Sequence, residues 1–403
     1  MVFDYNKQYD VAVAGAGIAG IAAALAAARR GHRTVLIEKQ FLIGGLATSG
    51  LVYIYLPLCD SNGTQVVFGL AEELLHKSLE YSPFDLNEKW GGKIGGRTRR
   101  LDRFECDFSP AGFTLSLDKL LLEANVDLWL DTRVCAARQS SDGKVTALEV
   151  ENASGRGVIS AKHFVDATGE AIIVRRAGGK TFQPEHNFPT IWLLERAPGE
   201  NLHYPFTDAI HMHSMIYTEE EAKLKNDPGT GKAATDFTRA SWQMARDYYQ
   251  KAYANGTSDR YNHYPLHLPA MPQLRKIARI NGIETLTDNS EWQHFESSIG
   301  LYGDWRRSGK VYETPYGSLL PADVRGVLAC GRCMSAEADA WESFRVIPAA
   351  AMTGEAAGTA AALAVEKNCD SSEITPETLR TELRKNNFKF YYEEAGLDPS
   401  AHK

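Results

Sequence analysis

Three glycines near the amino terminus have the spacing of a phosphate-binding turn. Gly15, Gly17 and Gly20 follow an apolar β-branched run and precede an alanine-rich segment. In such a turn the first glycine allows the sharp bend, the second leaves room for a pyrophosphate, and the third lets helix and strand pack closely. Glu38 ends the next predicted strand, where its carboxylate can accept hydrogen bonds from ribose hydroxyls. The pattern predicts a dinucleotide-binding unit, and a glycine-rich turn without ligand is the alternative.

A second glycine-rich turn follows soon after the acidic residue. Residues 44–50 read Gly-Gly-Leu-Ala-Thr-Ser-Gly. A bound, extended FAD needs backbone close to its pyrophosphate and ribityl chain, whereas a helix is expected here in a plain NAD dehydrogenase. The turn therefore favours FAD, although two adjacent glycines also occur in ordinary loops.

Candidates for proton transfer and substrate binding lie farther along the chain. His263 and His267 could be the catalytic acid or base, or loop histidines without a catalytic role. Arg275 and Arg279 are four residues apart, so on a helix they would share one face and could clamp a carboxylate, or form an ion-paired surface. Arg345 is expected near the flavin or the substrate and is also a catalytic candidate.

Two further substrate-side candidates are weaker. Tyr316 is a tentative substrate contact, and Glu342 lies just before Arg345 in the sequence.

Two other spacings suggest redox or metal chemistry. Cys330 and Cys333 form a C-x-x-C pair, the spacing of a redox dithiol. Small buried thiols are the preferred interpretation because the pair flanks residues expected to contact FAD. His211 and His213 have metal-like spacing, but no Cys, His or acidic partner set is visible, so no metal site is predicted.

Composition sets broad limits on function. The chain has 403 residues, a formal net charge of −7 and 44% hydrophobic residues, which is typical of a globular enzyme of two or three domains. The acidic balance argues against nucleic-acid or anionic-membrane partners. Residues 11–28 carry no charge, but they are Ala- and Gly-rich with three glycines, so a turn is predicted rather than a membrane span. A cytoplasmic location is expected, because the chain does not open with a basic segment followed by an apolar one.

The elements that would position these residues follow from hydrophobic patterning. Strands are predicted at residues 9–14, 34–37, 126–134, 145–151, 156–161, 163–167 and 326–330, and helices at 21–30, 66–81, 115–124 and 349–365. Gly31 is predicted to end the first helix, and loops are predicted at 226–231 and 254–264. Residues 180–314 are richer in Tyr, Trp, His and Pro. The fold class predicted is α/β, a Rossmann-like FAD-binding domain of glutathione-reductase type with an inserted α+β substrate domain. The FAD-binding domain would comprise residues 1–55, 100–180 and 315–403, and the substrate or cap region residues 56–99 and 181–314.

The order of several short motifs resembles one family. After the first two glycine turns come Val-Asp-Ala-Thr-Gly at 165–169, Pro-Tyr-Gly-Ser-Leu-Leu-Pro at 315–321 and Ala-Cys-Gly-Arg-Cys-Met-Ser at 329–335. Ser-Phe-Arg-Val at 343–346 and an Ala/Gly-rich block at 352–361 complete the series. The chain resembles the bacterial FAD-dependent oxidoreductases of the glutathione-reductase-like superfamily, in particular the group associated with xanthan lyases. The sequence departs from the usual pattern at Glu170 and Cys330.

This resemblance implies a set of cofactor contacts. The start of the last helix would point at the flavin pyrimidine ring, and Val134 would contact the adenine. The expected FAD-binding residues are Gly15, Gly17, Ile18, Ala19, Gly20, Glu38, Lys39, Gly45, Leu46, Ala47, Thr48, Val134, Ala167, Thr168, Gly169, Gly331, Arg332, Arg345, Met352, Thr353 and Gly354.

The implied activity is hydride transfer between flavin N5 and a small organic substrate: a polyol, sugar, hydroxy acid or enoate. Electrons would pass to oxygen or a separate acceptor, since no second glycine fingerprint for NAD(P)H is present. A redox-neutral flavoprotein and a non-catalytic flavin-binding partner are the alternatives, and the oligomeric state is left open.

Overall fold

The amino-terminal unit has the predicted strand–turn–helix–strand order. The structure is a computed structural model that describes residues 3–93, 102–184, 187–199, 205–207, 209–216 and 229–402. Strand β1 (Tyr5–Ala14) leads into helix α1 (Ile18–Ala28), which is followed by strand β2 (Thr34–Ile37). The bounds of β2 match the prediction. Helix α1 begins three residues earlier than predicted, because the glycine turn before it is short. Its C-cap is Arg29, and Gly31 follows with φ +87°, in the turn leading to β2.

The remaining elements alternate between the main sheet and smaller ribbons. They are β3 (Ile54–Tyr55), α2 (Leu70–Ser78), β4 (Cys106–Asp107), α3 (Pro110–Glu123), β5 (Asp127–Trp129), β6 (Arg133–Gln139), β7 (Val145–Asn152), β8 (Gly155–Asp166), α4 (Ile172–Arg176), β9 (Thr181–Phe182), β10 (Thr190–Arg196), β11 (Ile210–Ile216), α5 (Gly231–Ala254), β12 (Tyr264–His267), β13 (Arg279–Ile280), β14 (Ser298–Gly303), β15 (Val311–Pro315), β16 (Val327–Ala329), α6 (Ala338–Phe344), α7 (Ile347–Lys367) and α8 (Pro376–Leu383).

The main sheet is a Rossmann-like parallel sheet with an antiparallel extension. Strands β5, β2, β1 and β8 lie side by side and parallel, and β16 joins them by pairing with β8. Strands β7 and β6 continue from β8 in antiparallel pairs. The predicted α/β fold class is confirmed. The two strands predicted at 156–161 and 163–167 are one continuous strand, β8, which pairs with β1 over most of its length.

Several predicted helix ends are wrong by a few residues. Helix α2 is shorter than the predicted 66–81. Helix α3 starts at Pro110 rather than 115, because the Ser109 hydroxyl caps it by accepting from Gly112 N, and proline suits a first helical position. The predicted loop at 254–264 lies between α5 and β12, whereas residues 226–228 of the other predicted loop lie outside the described residues.

Helices α1 and α7 approach one another so closely that only glycine fits between them. A Cβ atom at Gly354 would lie 2.2 Å from the carbonyl oxygen of Ala19, and one at Gly358 would lie 2.1 Å from that of Ala23. Both helices are buried and rich in alanine, so their backbones supply much of this part of the core. Within the described residues, no helix is both long enough and apolar enough to span a membrane.

We predict that Gly358→Ala lowers the free energy of unfolding by about 1–3 kcal/mol, the usual cost of overpacking a close-packed core. The added methyl group meets the Ala23 backbone, which cannot move without shifting α1. Chemical denaturation measures the effect. Gly231→Ala, at the start of α5 where a Cβ has open space, is the matched control and should cause no loss. Equal stability of the two variants would contradict the packing argument.

Candidate functional site

The turn between β1 and α1 uses each glycine differently. Gly15 has φ +94°, and a Cβ there would lie 2.7 Å from Ala167 O. A Cβ at Gly20 would lie 1.8 Å from Gly15 O, so this glycine is required by packing. Around Gly17 a Cβ would meet no atom within 4 Å. Packing therefore explains the first and third glycines, whereas the second faces open space, as a phosphate-binding turn requires.

Glu38 stands at the carboxyl end of β2, beside the turn. Its side chain is buried, and its Oε2 accepts a hydrogen bond from Ala16 N at 2.7 Å. The other oxygen accepts from Gln40 N at 3.0 Å. Burial raises the pKa of the carboxyl. The two backbone donors fix the carboxylate in place at the edge of the sheet where ligands bind in parallel α/β folds.

The second glycine-rich segment packs directly against the first. Gly44 N donates to Ala16 O at 2.7 Å, and a Cβ at Gly45 would lie 3.0 Å from the Cα of Gly17. Thr48 donates its hydroxyl to Ile43 O, which closes this loop. The two turns therefore form adjacent walls of one cleft.

The third wall is the Ala-Thr-Gly segment after β8. Asp166 is fully buried, and its Oδ2 accepts from Ile173 N at 2.7 Å, while its Oδ1 accepts from the Thr168 hydroxyl at 2.7 Å. Burial raises the pKa of Asp166. These bonds fix the segment and the start of α4. Glu170 forms an ion pair with Lys39 at the cleft wall.

Together these segments enclose an extended groove. A first portion of about 720 Å³ continues into a second of about 570 Å³, and Glu38 and Thr168 line both. Val134 lines the second portion. The expected residues that line the first are Gly15, Gly17, Ile18, Ala19, Glu38, Lys39, Gly45, Leu46, Ala47, Ala167, Thr168, Gly169, Gly331, Arg332 and Arg345.

The last helix meets the groove at an earlier point than predicted. Helix α7 begins at Ile347, two residues before the predicted 349, because Pro348 suits its first turn. Ile347 and Ala350 therefore line the groove. Met352, Thr353 and Gly354 are buried in the second turn, where the Thr353 hydroxyl accepts from Gly331 N at 3.1 Å. The expectation that these three residues are at the start of the helix is wrong.

Gly20 and Thr48 do not line the groove and have packing and loop-closing roles instead. The predicted set lacks seven residues that line the first portion of the groove: Gln40, Gly44, Glu170, Met271, Val346, Ile347 and Ala350. The signal that could have found the last three is Pro348, which marks the start of α7.

The two candidate catalytic histidines are not brought to the groove. Within the described residues, His263 lies beside Glu195, with its Nε2 3.3 Å from Oε2 of that carboxylate, and neither histidine is among the groove-lining residues. His267 is exposed on β12, where it pairs with Leu194 of β10. The structure therefore does not bring either histidine together with Arg345 at the groove.

Arg275 and Arg279 do not share a helix face. Residues 268–278 form an irregular segment rather than a helix, which Pro269 and Pro272 disfavour, and Arg279 begins β13. Arg279 pairs with Glu337 at 2.8 Å. The predicted two-arginine clamp is therefore wrong, and the two side chains have separate environments.

Tyr316 is not at the groove either. Its hydroxyl donates to Ser371 O at 2.8 Å, and the side chain is buried. The expectation of a substrate contact is therefore wrong, because this tyrosine links the turn after β15 to the segment after α7.

One end of the groove is rich in positive charge. Arg332 and Arg345 line it, and Arg275 lies over the Trp192 ring at 5.6 Å. Burial, together with the charges of Arg345 and Arg332, lowers the pKa of Arg275. Glu342 pairs with Arg345; burial alone would raise its pKa, but Arg345 and Lys276 lower it to about 2.

The C-x-x-C pair is buried. Both thiols are free, and burial raises the pKa of each. The Cys333 thiol donates to the Asp166 carbonyl oxygen at 3.2 Å. A redox dithiol needs an accessible thiolate, so the two residues fit the interpretation as small buried side chains.

Comparison with known proteins identifies the family. A sequence model described as "FAD dependent oxidoreductase" matches residues 10–189 and 195–383. The chain belongs to this family of FAD-dependent oxidoreductases, and FAD is its cofactor.

Individual relatives match shorter segments or differ more in sequence. The chain is 37% identical over 74 residues to a thioredoxin reductase of Ureaplasma parvum serovar 3, a match that covers 18% of this chain and 24% of that protein. It is 51% identical over 61 residues to the tRNA uridine 5-carboxymethylaminomethyl modification enzyme of Geobacter sulfurreducens, covering 13% and 10%. The chain thus spans a quarter or less of these curated relatives. Among solved structures, a geranylgeranyl bacteriochlorophyll reductase-like protein from Thermoplasma acidophilum is 14% identical, with a TM-score of 0.48, 98% of this chain and 90% of that chain covered.

The groove fits this cofactor. The open space beside Gly17 adjoins the first turn of α1, whose N–H groups suit a pyrophosphate. Glu38, Val134 and the start of α7 line the groove, so the predicted contacts with the ribose, the adenine and the flavin pyrimidine ring are compatible with its shape and stay predictions.

We predict that Gly17→Val abolishes FAD retention without unfolding the chain. The new side chain enters space that is otherwise open, so it blocks the pyrophosphate and leaves the packing intact. The FAD-to-protein ratio and the melting temperature of the apoprotein measure the two effects. Gly231→Val is the control and should retain FAD. A variant that keeps full flavin occupancy would contradict the assignment of this turn.

We predict that Cys333→Ser keeps the flavin content and turnover close to those of the unchanged protein. A serine hydroxyl can donate to the same carbonyl groups, and no thiol chemistry is lost. Titration with a thiol reagent should also show that neither cysteine of the pair reacts in the folded protein. A strong loss of turnover with normal FAD content would revive the dithiol interpretation.

Proposed function

We propose that the chain transfers a hydride between flavin N5 and a small organic anion, with hydroxy acids and enoates favoured over uncharged polyols and sugars. FAD supplies the hydride chemistry when bound. The observation that carries the choice of substrate class is the positive charge at one end of the groove, which Arg332 and Arg345 line and on whose charges the neighbouring Arg275 depends.

The three arginines support different roles. Arg332 lies against Gly169, where a Cβ would be 2.5 Å from its guanidinium, so we assign it to the cofactor side. Arg345 lies two residues before α7, and Arg275 lies over the Trp192 ring. Within the described residues Arg275 forms no ion pair with a carboxylate, Glu342 is the acidic group that acts on its charge, and Arg345 pairs with Glu342. A substrate carboxylate bound here would supply the missing negative charge.

The arginine side chains at this end would also orient a substrate. A guanidinium binds a carboxylate through two parallel hydrogen bonds, which fixes both position and rotation. Glu342 and Lys276, paired at 2.6 Å, hold the Arg345 side of this end in place. Orientation of this kind brings a reacting carbon to a fixed position beside a cofactor.

The proposal also includes the domain organisation, the electron acceptor and the nearest family group. We assign residues 1–55, 100–180 and 315–403 to cofactor binding, and 56–99 and 181–314 to the substrate side. Oxygen or a separate acceptor would take the electrons. We also propose that the chain is related to the glutathione-reductase-like flavoproteins and, among them, to the xanthan-lyase-associated group.

We predict that Arg275→Met lowers kcat/KM for an anionic substrate by roughly tenfold to a hundredfold, the range for a lost charge-assisted hydrogen bond. Anaerobic bleaching of the flavin by a panel of hydroxy acids, sugars and polyols, and reoxidation of the reduced flavin by enoates, identify the substrate. Arg325→Met, which removes an exposed arginine paired with Asp142, is the control.

Two outcomes would contradict this proposal. Reduction by uncharged polyols alone would exclude the anionic substrate class. Loss of FAD from Arg275→Met, with substrate binding unchanged per flavin, would assign the arginine to the cofactor instead.

A further inference from the structure

A buried carboxylate away from the groove-lining residues gathers three imidazoles. The Glu195 side chain, on β10, has no exposed surface. Its Oε1 lies 3.0 Å from Nε2 of His211 and 3.3 Å from Nδ1 of His213. Its Oε2 lies 3.3 Å from Nε2 of His263.

Strand pairing explains how these residues meet. Glu195 and His211 are direct partners across the antiparallel pair β10–β11. His213 is two residues farther along β11, so it points to the same face. The sequence expectation that no acidic partner joins the two histidines is wrong, because the partner is supplied by the neighbouring strand rather than by residues nearby in sequence.

We propose that Glu195, His211 and His213 bind one divalent transition-metal ion. One ligand atom from each residue lies within 4.8 Å of the other two. Around a tetrahedral zinc ion, with bonds of about 2.0–2.1 Å, neighbouring ligand atoms are about 3.3 Å apart. The two distances from Oε1 are of that size.

The donor set defines the class of metal. Two imidazole nitrogens and one carboxylate oxygen suit Zn²⁺, Fe²⁺, Co²⁺ or Ni²⁺. Mg²⁺ and Ca²⁺ prefer oxygen ligands alone, so they are not expected to bind.

The surrounding residues hold the carboxylate in a metal-binding orientation. The Tyr249 hydroxyl of α5 donates to Oε2 at 2.7 Å, and His263 approaches the same oxygen. Nδ1 of His263 lies 3.0 Å from the Ser258 hydroxyl, which fixes that ring. We therefore assign His263 as a positioning residue, and Oε1 as the ligand atom.

One side of the site reaches solvent. The His213 side chain is 27% exposed, compared with 6% for His211, and its ring stacks on Tyr248 at 4.5 Å. A three-ligand site of this kind leaves a coordination position for water or a small ligand on the exposed side.

The ion would stiffen β10 near Trp192. Trp192 precedes Glu195 on β10 by three residues, roughly 10 Å along a strand. Trp192 N donates to the Gln273 side chain at 2.9 Å, and that side chain in turn donates to Gly50 O. The metal would thus tie β10 and β11 together near the residue over which Arg275 lies.

The experiment measures metal binding in the tag-free, FAD-loaded protein. After dialysis against a chelator, Zn²⁺ is added and followed by calorimetry, metal analysis and the melting temperature, with Mg²⁺ as the comparison ion. We expect one Zn²⁺ per chain and a rise in melting temperature, neither of which Mg²⁺ reproduces. Glu195→Gln and His213→Phe, which preserve shape and ring stacking, should lose saturable binding while keeping FAD. His267→Phe, on exposed β12, is the matched control and should bind normally.

The proposal is overturned if the unchanged protein binds no Zn²⁺, Co²⁺ or Ni²⁺ stoichiometrically. It is also overturned if Glu195→Gln and His213→Phe bind as well as His267→Phe. Because metal content and melting temperature are the readouts, the result does not depend on which substrate the flavin site accepts.

Discussion

The close approach of backbone to backbone around the β1–α1 turn is the constraint on which the rest of the cofactor groove depends. Gly15 and Gly20 let Ala167 and the turn itself pack without side chains between them, and Gly354 brings α7 onto α1. A side chain at any of these positions would push one wall of the groove outward. Within this turn Gly17 lies beside open space, whereas Gly15 and Gly20 are required by packing. Packing and ligand binding therefore depend on different glycines.

The charged residues of the groove differ from one end to the other. The start of α1, whose backbone N–H groups suit a phosphate, and Arg332 line the groove, and the carboxylate of Glu38 lines it as well. Near Arg275 and Arg345 positive charge is in excess, because among the described residues Glu342, which pairs with Arg345, is the acidic group that acts on both arginines. Their mutual repulsion is offset only in part by Glu342. An anionic ligand would relieve it, which links the architecture of this end to a class of substrate.

Local patterns in the sequence predicted the β1–α1–β2 unit and most of the residues that line the groove. The strand–turn–helix–strand unit and the groove walls at Glu38, Gly45 and Thr168 follow from short motifs, because each is built from contiguous residues. Contacts that depend on distant pairing were not accessible in this way. Arg275 lies in an irregular segment, and Glu195 meets His211 only through the pairing of β10 with β11, which neither strand's own sequence specifies.

The position of β16 in the chain has a consequence for how the protein folds during synthesis. This strand pairs with β8, yet more than a hundred and fifty residues separate the two in sequence, and α7 follows β16 before it packs on α1. Contacts of such long sequence separation form late and slow folding. The glycine turn therefore emerges from the ribosome early but gains its last wall only after residue 350 has been made. Until then the nascent chain presents an unpaired edge of β8, a surface that chaperones can protect and that competing strands can occupy.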